Sequence, residues 1–431
     1  MPIYASSKFR LPLELLVRYY DYFPPKSMNV EIKSNDNGRK VLLVTKDIAA
    51  GETIYKEFPV VAVLDADLES SSRYCSHCFR PLDPTSSSIH QLPEEFNPLG
   101  SKFCSEQCLN TSKAQSTSLL FTQEPPLPPE LAPASSPALD VEGRKKAQDK
   151  FVEYLKKEKR NAPLLVARFI ARQVALETTK LAGKVSSTTS AVNKVEGDFT
   201  DANEGDYLLA DHMERMRYLE VKPNEEELPS VSAVLEKTLP GLEQFVTEER
   251  HAMLVGKMLY NAIGVGRRDD KLEPTARPED VEKTRTAFGT QSQIGSAFYT
   301  LSSYANHSCS PSAKLTFPLG TTELHVMAAK DLKKGDEVTV AYVNVDPLDE
   351  SESVVDARRR RRIELARGWR FACPCERCVQ EANALSQEEK DKEGGENGKD
   401  ESRVEESARR FEEREQELRE ERAAERAAEV E

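Results

Sequence analysis

The sequence predicts an α+β fold: small β-sheets interrupted first by a cysteine-rich metal module and then by a long helical insert. Three observations predict it. Alternating apolar runs lie early in the chain and return at 284–345. Between them, much of 144–263 carries apolar residues at helical spacing, such as Phe151, Leu155, Leu165, Phe169 and Leu176. Eight cysteines fall into two sets of four, the number a tetrahedral zinc site takes.

Residues 1–26 form an N-terminal extension with a short helical piece, ending in Pro24-Pro25. Residues 27–69 are the first β unit. It comprises VEI (30–32), a turn at NDNG (35–38), VLLVT (41–45), a turn at AAGE (49–52) and a long run at 53–64. Residues 70–110 hold Cys75, Cys78, Cys104 and Cys108 among turn residues. Residues 111–284 read as linker and helical insert: a proline-rich exposed stretch at 122–140, helices over 144–182, 207–220 and 231–263, and a disordered Ser/Thr-rich segment at 183–206. The second β unit, 285–346, has its clearest strands at 323–329 and 337–343. A basic helix at 357–367 leads to Cys373, Cys375 and Cys378 within 347–380, and 381–431 is an acidic, flexible or single-helix tail.

The net charge of −13 is uneven, because 381–431 contributes 19 acidic against 10 basic residues. An acidic tail on a nearly neutral body excludes gross nonspecific DNA binding and permits a basic protein partner. No apolar run approaches the ~18 residues of a membrane span, and the first ten residues lack the apolar core of a secretory signal, so an intracellular protein is expected. In that setting the cysteines stay reduced, and their spacing reads as metal chemistry rather than as disulfides.

The strongest local signal is Cys373-Pro374-Cys375-Glu376-Arg377-Cys378. Three thiolates leave one tetrahedral position open, and the unassigned cysteine is Cys309, inside Asn306-His307-Ser308-Cys309. In the first set, Cys75-x2-Cys78 and Cys104-x3-Cys108 are 25 residues apart; His77 and His90 compete as ligands, but four thiolates suffice. The five-arginine run 358–362 reads as a solvated helix face, with a nuclear-localisation patch or a phosphate contact as alternatives.

NHSCSP (306–311), GDEVTVAYV (335–343) and FACPCERC (371–378), with VTKDIAAGETIYKE (44–57), resemble SET-domain lysine methyltransferases of the split-SET/MYND type, most of all the fungal histone H4 enzymes. The resemblance implies a SET-type β fold, a reduced one-zinc MYND-like finger at 70–110 and a zinc-bound post-SET segment. It implies two structural zinc ions and S-adenosylmethionine. By the same resemblance Tyr342 and Tyr299 are catalytic, Tyr299 by lining the lysine channel, and Asn306, His307, Tyr342 and Phe371 bind the cofactor. The family's Gly-X-Gly is not present, and Gly38, Arg39 and Lys40 stand in its place. The implied activity is monomethylation of lysines in the histone H4 tail, in the nucleus on chromatin with a cytoplasmic pool. A non-histone protein substrate and a catalytically silent binding scaffold are the alternatives.

Overall fold

The computed structural model describes residues 19–35, 38–127, 131, 140–186, 196–202, 206–222, 224–239, 246–266, 284–285 and 293–385. The expectations for residues 1–18, for most of the proline-rich stretch and for the tail beyond 385 lie outside these residues. No described helix is long and apolar enough to cross a membrane.

Ten short strands build four small sheets among the described residues. β1 (Val30–Ser34) and β2 (Lys40–Val44) form an antiparallel hairpin. Gly38 closes its turn at φ +72°, a conformation glycine adopts without a Cβ penalty, and its N–H donates to the Asn35 carbonyl at 2.9 Å. The run expected over 53–64 breaks at Phe58-Pro59, where proline removes a ladder donor. It yields β3 (Thr53–Glu57) and β4 (Val61–Leu64), which join different sheets.

Downstream come β5 (Ile263–Gly266), β6 (Gln293–Phe298), β7 (Asn306–His307), β8 (Ala313–Thr316), β9 (Leu324–Ala328) and β10 (Thr339–Val340). The sheets run β3-β9-β8 and β4-β6-β5, so each contains strands from both sides of the insert. That long-range pairing is what rebuilds one β unit from a split sequence. The expected strand at 337–343 is regular for two residues only: β10 lies parallel to β7, pairing Thr339 with Asn306 and Val340 with His307.

Helices α1 (Ala66–Glu69), α2 (Glu106–Ser112) and α3 (Ser118–Phe121) follow the first β unit, with a π turn joining the last two. The cysteine module therefore runs directly into helix, where a linker was expected to begin at 111. The 144–182 helix is two, α4 (Val141–Glu158) and α5 (Ala162–Ser186), because Lys159 turns left-handed at φ +55° and ends the first. The insert adds α6 (Leu209–Arg215), α7 (Glu227–Thr238) and α8 (Glu248–Asn261).

α5 covers the edge of the β4 sheet. Buried Arg168 donates to the Ala62 carbonyl and buried Arg172 to the Val60 carbonyl, satisfying acceptors that an edge strand leaves open. Within the 183–206 segment, expected to be disordered, Phe199 and Thr200 are buried. The Phe199 carbonyl bonds His212 Nε2 at 2.8 Å, and His212 Nδ1 meets the Tyr19 hydroxyl at 2.7 Å. This ties the N-terminal segment to the insert.

α9 (Val354–Trp369) and α10 (Glu376–Ala384) complete the fold. The five-arginine run is not a solvated face. Arg358 and Arg361 are buried and hold α10, reaching the Cys378 carbonyl and the Glu381 carboxylate, while Arg360 grips Glu352 and the carbonyls of Asn344 and Asp346. Glu381, where the tail was expected to begin, lies in α10 and pairs with the buried Arg361 guanidinium.

Candidate active site and metal centres

The site is assembled where β7 and β10 cross. Asn306 lies between the two β units: its Nδ2 donates to the Lys40 carbonyl at 3.1 Å and to Glu337 Oε1 at 2.9 Å. His307 Nδ1 accepts the Tyr342 backbone N–H at 3.0 Å, which places the imidazole proton on Nε2, 3.3 Å from Cys309 Sγ. Burial holds His307 down at about 4, so it is neutral in this role. Its ring thereby meets both the Tyr342 backbone and the Cys309 sulfur.

The two cysteine quartets converge as their spacing requires. Within each, all four sulfurs lie within 4.8 Å of one another. Cys309 Sγ is 3.9 Å from Cys373 and 3.5 Å from Cys378; Cys104 is 3.6 Å from Cys78 and from Cys108. Zinc–sulfur bonds of ~2.3 Å in a tetrahedron put sulfurs about 3.8 Å apart, so both quartets fit the ion. Hydrogen bonds from neighbouring thiols, that of Cys309 first, pull Cys375 far below the ordinary thiol range, while Cys373 foremost pushes Cys309 far above it. Four thiolates at such spacing stay ionised together only around a cation. Among the described residues, His77 and His90 belong to neither quartet.

Tyr342 is 4% exposed, and its hydroxyl donates to the Ala305 carbonyl at 2.8 Å. Its ring meets His307 at 5.4 Å, Trp369 at 5.6 Å and Phe371 at 6.2 Å between centroids. Burial raises its pKa, against the charges of Arg285, Arg217 and Arg39. Phe371 also faces His307 at 6.0 Å, and the Arg39 guanidinium lies 5.8 Å from the Phe371 centroid. Tyr299 follows β6. It is fully buried, gives its hydroxyl to the Thr322 carbonyl at 2.7 Å, and makes no ring contact with Tyr342.

The strand that lacks Gly-X-Gly still presents a cradle. Gly38 serves the hairpin turn, and the Lys40 carbonyl anchors Asn306 while its ammonium sits 4.1 Å over the Tyr20 ring. Arg39 Nε is buried with no hydrogen-bond partner. An orphaned guanidinium N–H beside an aromatic ring suits a ligand that carries both a carboxylate and a flat base, and S-adenosylmethionine has both.

Three contributors are not singled out by the sequence: Trp369 and Arg285 carry no motif, and Glu57 closes the 44–57 run without a role read for it. Trp369 enters only through packing, with its indole N–H on the Tyr260 carbonyl. Arg285 stacks on Tyr342 from an isolated bridge beside β5. Glu57 is fully buried beneath the segment that leads to Asn306. One oxygen accepts the Leu301 N–H and the Thr300 hydroxyl, and the other accepts the Ser302 N–H and hydroxyl. Burial nevertheless raises its pKa to about 7. Because this exceeds the unfolded value, Glu57's contribution is fully present below the unfolded pKa and is lost as pH rises through about 7.

Glu57→Gln is expected to destabilise the fold by about 1–3 kcal/mol, since its amide NH2 must face a backbone N–H. The gap to wild type in urea midpoint should narrow as pH rises from the acidic side to about 8. A gap that stays constant with pH removes Glu57 from the titration.

A family model for the SET domain matches residues 39–343. The fold and the crossing at Asn306-His307 thus define a SET-domain protein, and the chain belongs to that family. Over 359 residues it is 26% identical to a histone-lysine N-methyltransferase SET5 of Scheffersomyces stipitis, covering 82% of this chain and 64% of that one. A protein-lysine N-trimethyltransferase SMYD5 of Mus musculus is 36% identical over 98 residues, 22% of each chain. These alignments span less than two thirds of either relative's length. A SET and MYND domain-containing protein of Dictyostelium discoideum is 25% identical over 374 residues, 84% of each chain. A solved SET domain of LSMT, bound to lysine and AdoHcy, aligns at a TM-score of 0.28 and 12% identity over 85% of this chain and 58% of that chain, too loosely to argue from.

Proposed function

We propose that the protein is an S-adenosylmethionine-dependent protein-lysine N-methyltransferase acting on histone tails, with monomethylation of lysines in the H4 N-terminal tail as its reaction. One observation carries the reading: the Cys309 sulfur of the β7 crossing meets Cys373 and Cys378, closing the cap that brings Phe371 beside His307 and Tyr342.

When bound, the cofactor supplies a sulfonium-activated methyl group. Asn306, Phe371 and Arg39, with the Lys40 backbone, are the residues that would hold it. An ammonium has no lone pair, so the acceptor lysine, with an unperturbed pKa of about 10.4, must react as the neutral amine. Tyr342 supplies a fixed phenol oxygen and the Ala305 carbonyl a second acceptor, a pair that orients an amine without protonating it. Trp369 and Phe371 keep water from that point.

A histone substrate is supported by the names of the SET5 relatives and by an overall charge of −13, which favours a basic partner; nuclear, chromatin-associated action with a cytoplasmic pool goes with it. A second reading, methylation of a non-histone protein or to a higher methyl number, is favoured by the relatives named protein-lysine N-trimethyltransferase.

The test incubates full-length protein with labelled S-adenosylmethionine and core histones, followed by mass spectrometry of modified lysines. A single methyl on H4 lysines is the expected result. Label only on other proteins turns the assignment to the second reading. No transfer and no cofactor binding leaves a silent scaffold.

A further inference from the structure

Arg285 is 1% exposed, yet its guanidinium carbon lies 4.3 Å from the centroid of the Tyr342 ring. Its nitrogens donate to neutral groups: the Tyr260 carbonyl at 3.1 Å, Asn261 Oδ1 at 3.2 Å, the Ser303 carbonyl at 3.3 Å and the Ser302 carbonyl at 3.5 Å. Among the described residues no carboxylate pairs with it. A buried cation ordinarily requires an anion, and keeping one without an anion calls for a role for the charge.

The other groups facing Tyr342 repeat the sign. Arg217, from the segment after α6, donates to the Tyr260 hydroxyl at 3.2 Å, and both it and Arg39 of the β1–β2 turn act on the Tyr342 phenol. From α8 comes Tyr260 itself, and from β7 the neutral His307. On the far side, Glu57 of β3 is turned to the Leu301 and Ser302 N–H groups, and both it and the Arg285 charge act on the Tyr55 phenol.

The geometry points to Arg285 as a positioning residue for methyl transfer: its guanidinium clamps the Tyr342 ring and sets a positive charge beside the incoming amine, so the acceptor lysine is held neutral. The inference rests on the lysine methyltransferase reading and is independent of which protein supplies the lysine. The arginine itself forms and breaks no bond in the transfer. It acts by making a second nearby cation unfavourable.

The test is the pH profile of kcat, from about pH 6.5 to 10, for full-length wild type, Arg285→Gln and Arg285→Lys. Core histones are the acceptor, and a lysine-centred peptide library is used where these take no label. Arg285→Gln retains a donor for the carbonyls but removes the charge. Its rising limb should move up by about one pH unit, with activity near neutrality falling about tenfold and recovering in alkali. Arg285→Lys keeps the charge without the planar stack. Its limb should stay within about 0.3 unit of wild type while the plateau falls.

A lowered plateau with an unmoved limb in Arg285→Gln overturns the inference, as does an equal limb shift in both variants. If Arg285→Gln does not fold, Arg285→Lys decides: an unmoved limb supports the inference and a shifted one overturns it. Wild type that labels neither acceptor overturns the methyltransferase reading and this inference with it. Labelled wild type with an unshifted variant overturns this inference alone.

Discussion

Replacing Cys309 by serine is expected to cut the bound zinc from two equivalents to one and to release the cap over the cofactor cradle. The reason is topological. Cys373, Cys375 and Cys378 lie within six residues on one segment, whereas Cys309 lies on the β7 crossing, so this one sulfur couples the cap to the site. Serine's hydroxyl is not ionised at neutral pH and is a poor fourth ligand. Without the ion, Phe371 and Trp369 lose the clamp that holds them against His307 and Tyr342, and S-adenosylmethionine affinity should fall at least about tenfold. Native mass spectrometry gives the zinc count and calorimetry the affinity. Cys104→Ser is the control, because it should also remove one equivalent, from the finger, and leave cofactor affinity within about threefold. Two zinc equivalents retained in Cys309→Ser, or equal affinity loss in both variants, would mean that the cap is not held by this ion.

Tyr342→Phe is expected to lower kcat by about 10²–10³-fold while the protein stays folded. Only the hydroxyl is removed, so the ring contacts with His307, Trp369, Phe371 and Arg285 persist. What is lost structurally is one bond to the Ala305 carbonyl, about 1 kcal/mol. What is lost chemically is the fixed phenol oxygen proposed to orient the amine. Thermal melts should therefore nearly coincide and single-turnover rates should not. A kcat within twofold of wild type would move Tyr342 from the reaction into the core.

Much of the site was legible because its chemistry demands particular residues at particular spacings. Two cysteine quartets, an Asn-His pair before one of those cysteines, and a tyrosine behind a glycine turn leave few alternative readings. The strands that pair by period-two patterning were also legible, as were the helices with continuous apolar stripes. Boundaries were less so. The 53–64 run reads as one strand on apolar content, but proline at 59 splits it between two sheets. The 358–362 arginines look solvated by composition, but packing of α9 against α10 buries two of them.

From the sequence alone came the two cysteine quartets that could hold a metal, the family resemblance and the tyrosine proposed to guide the amine, because thiolate number, motif spacing and side-chain chemistry are local properties. Only the tertiary structure decided which groups surround that residue. Arg285 and Trp369 carry no local pattern, and nothing local in the 44–57 run marks Glu57 for the site. They reach the site through pairings across a long insert, and the burial that gives their charges and rings leverage exists only once those distant strands have met.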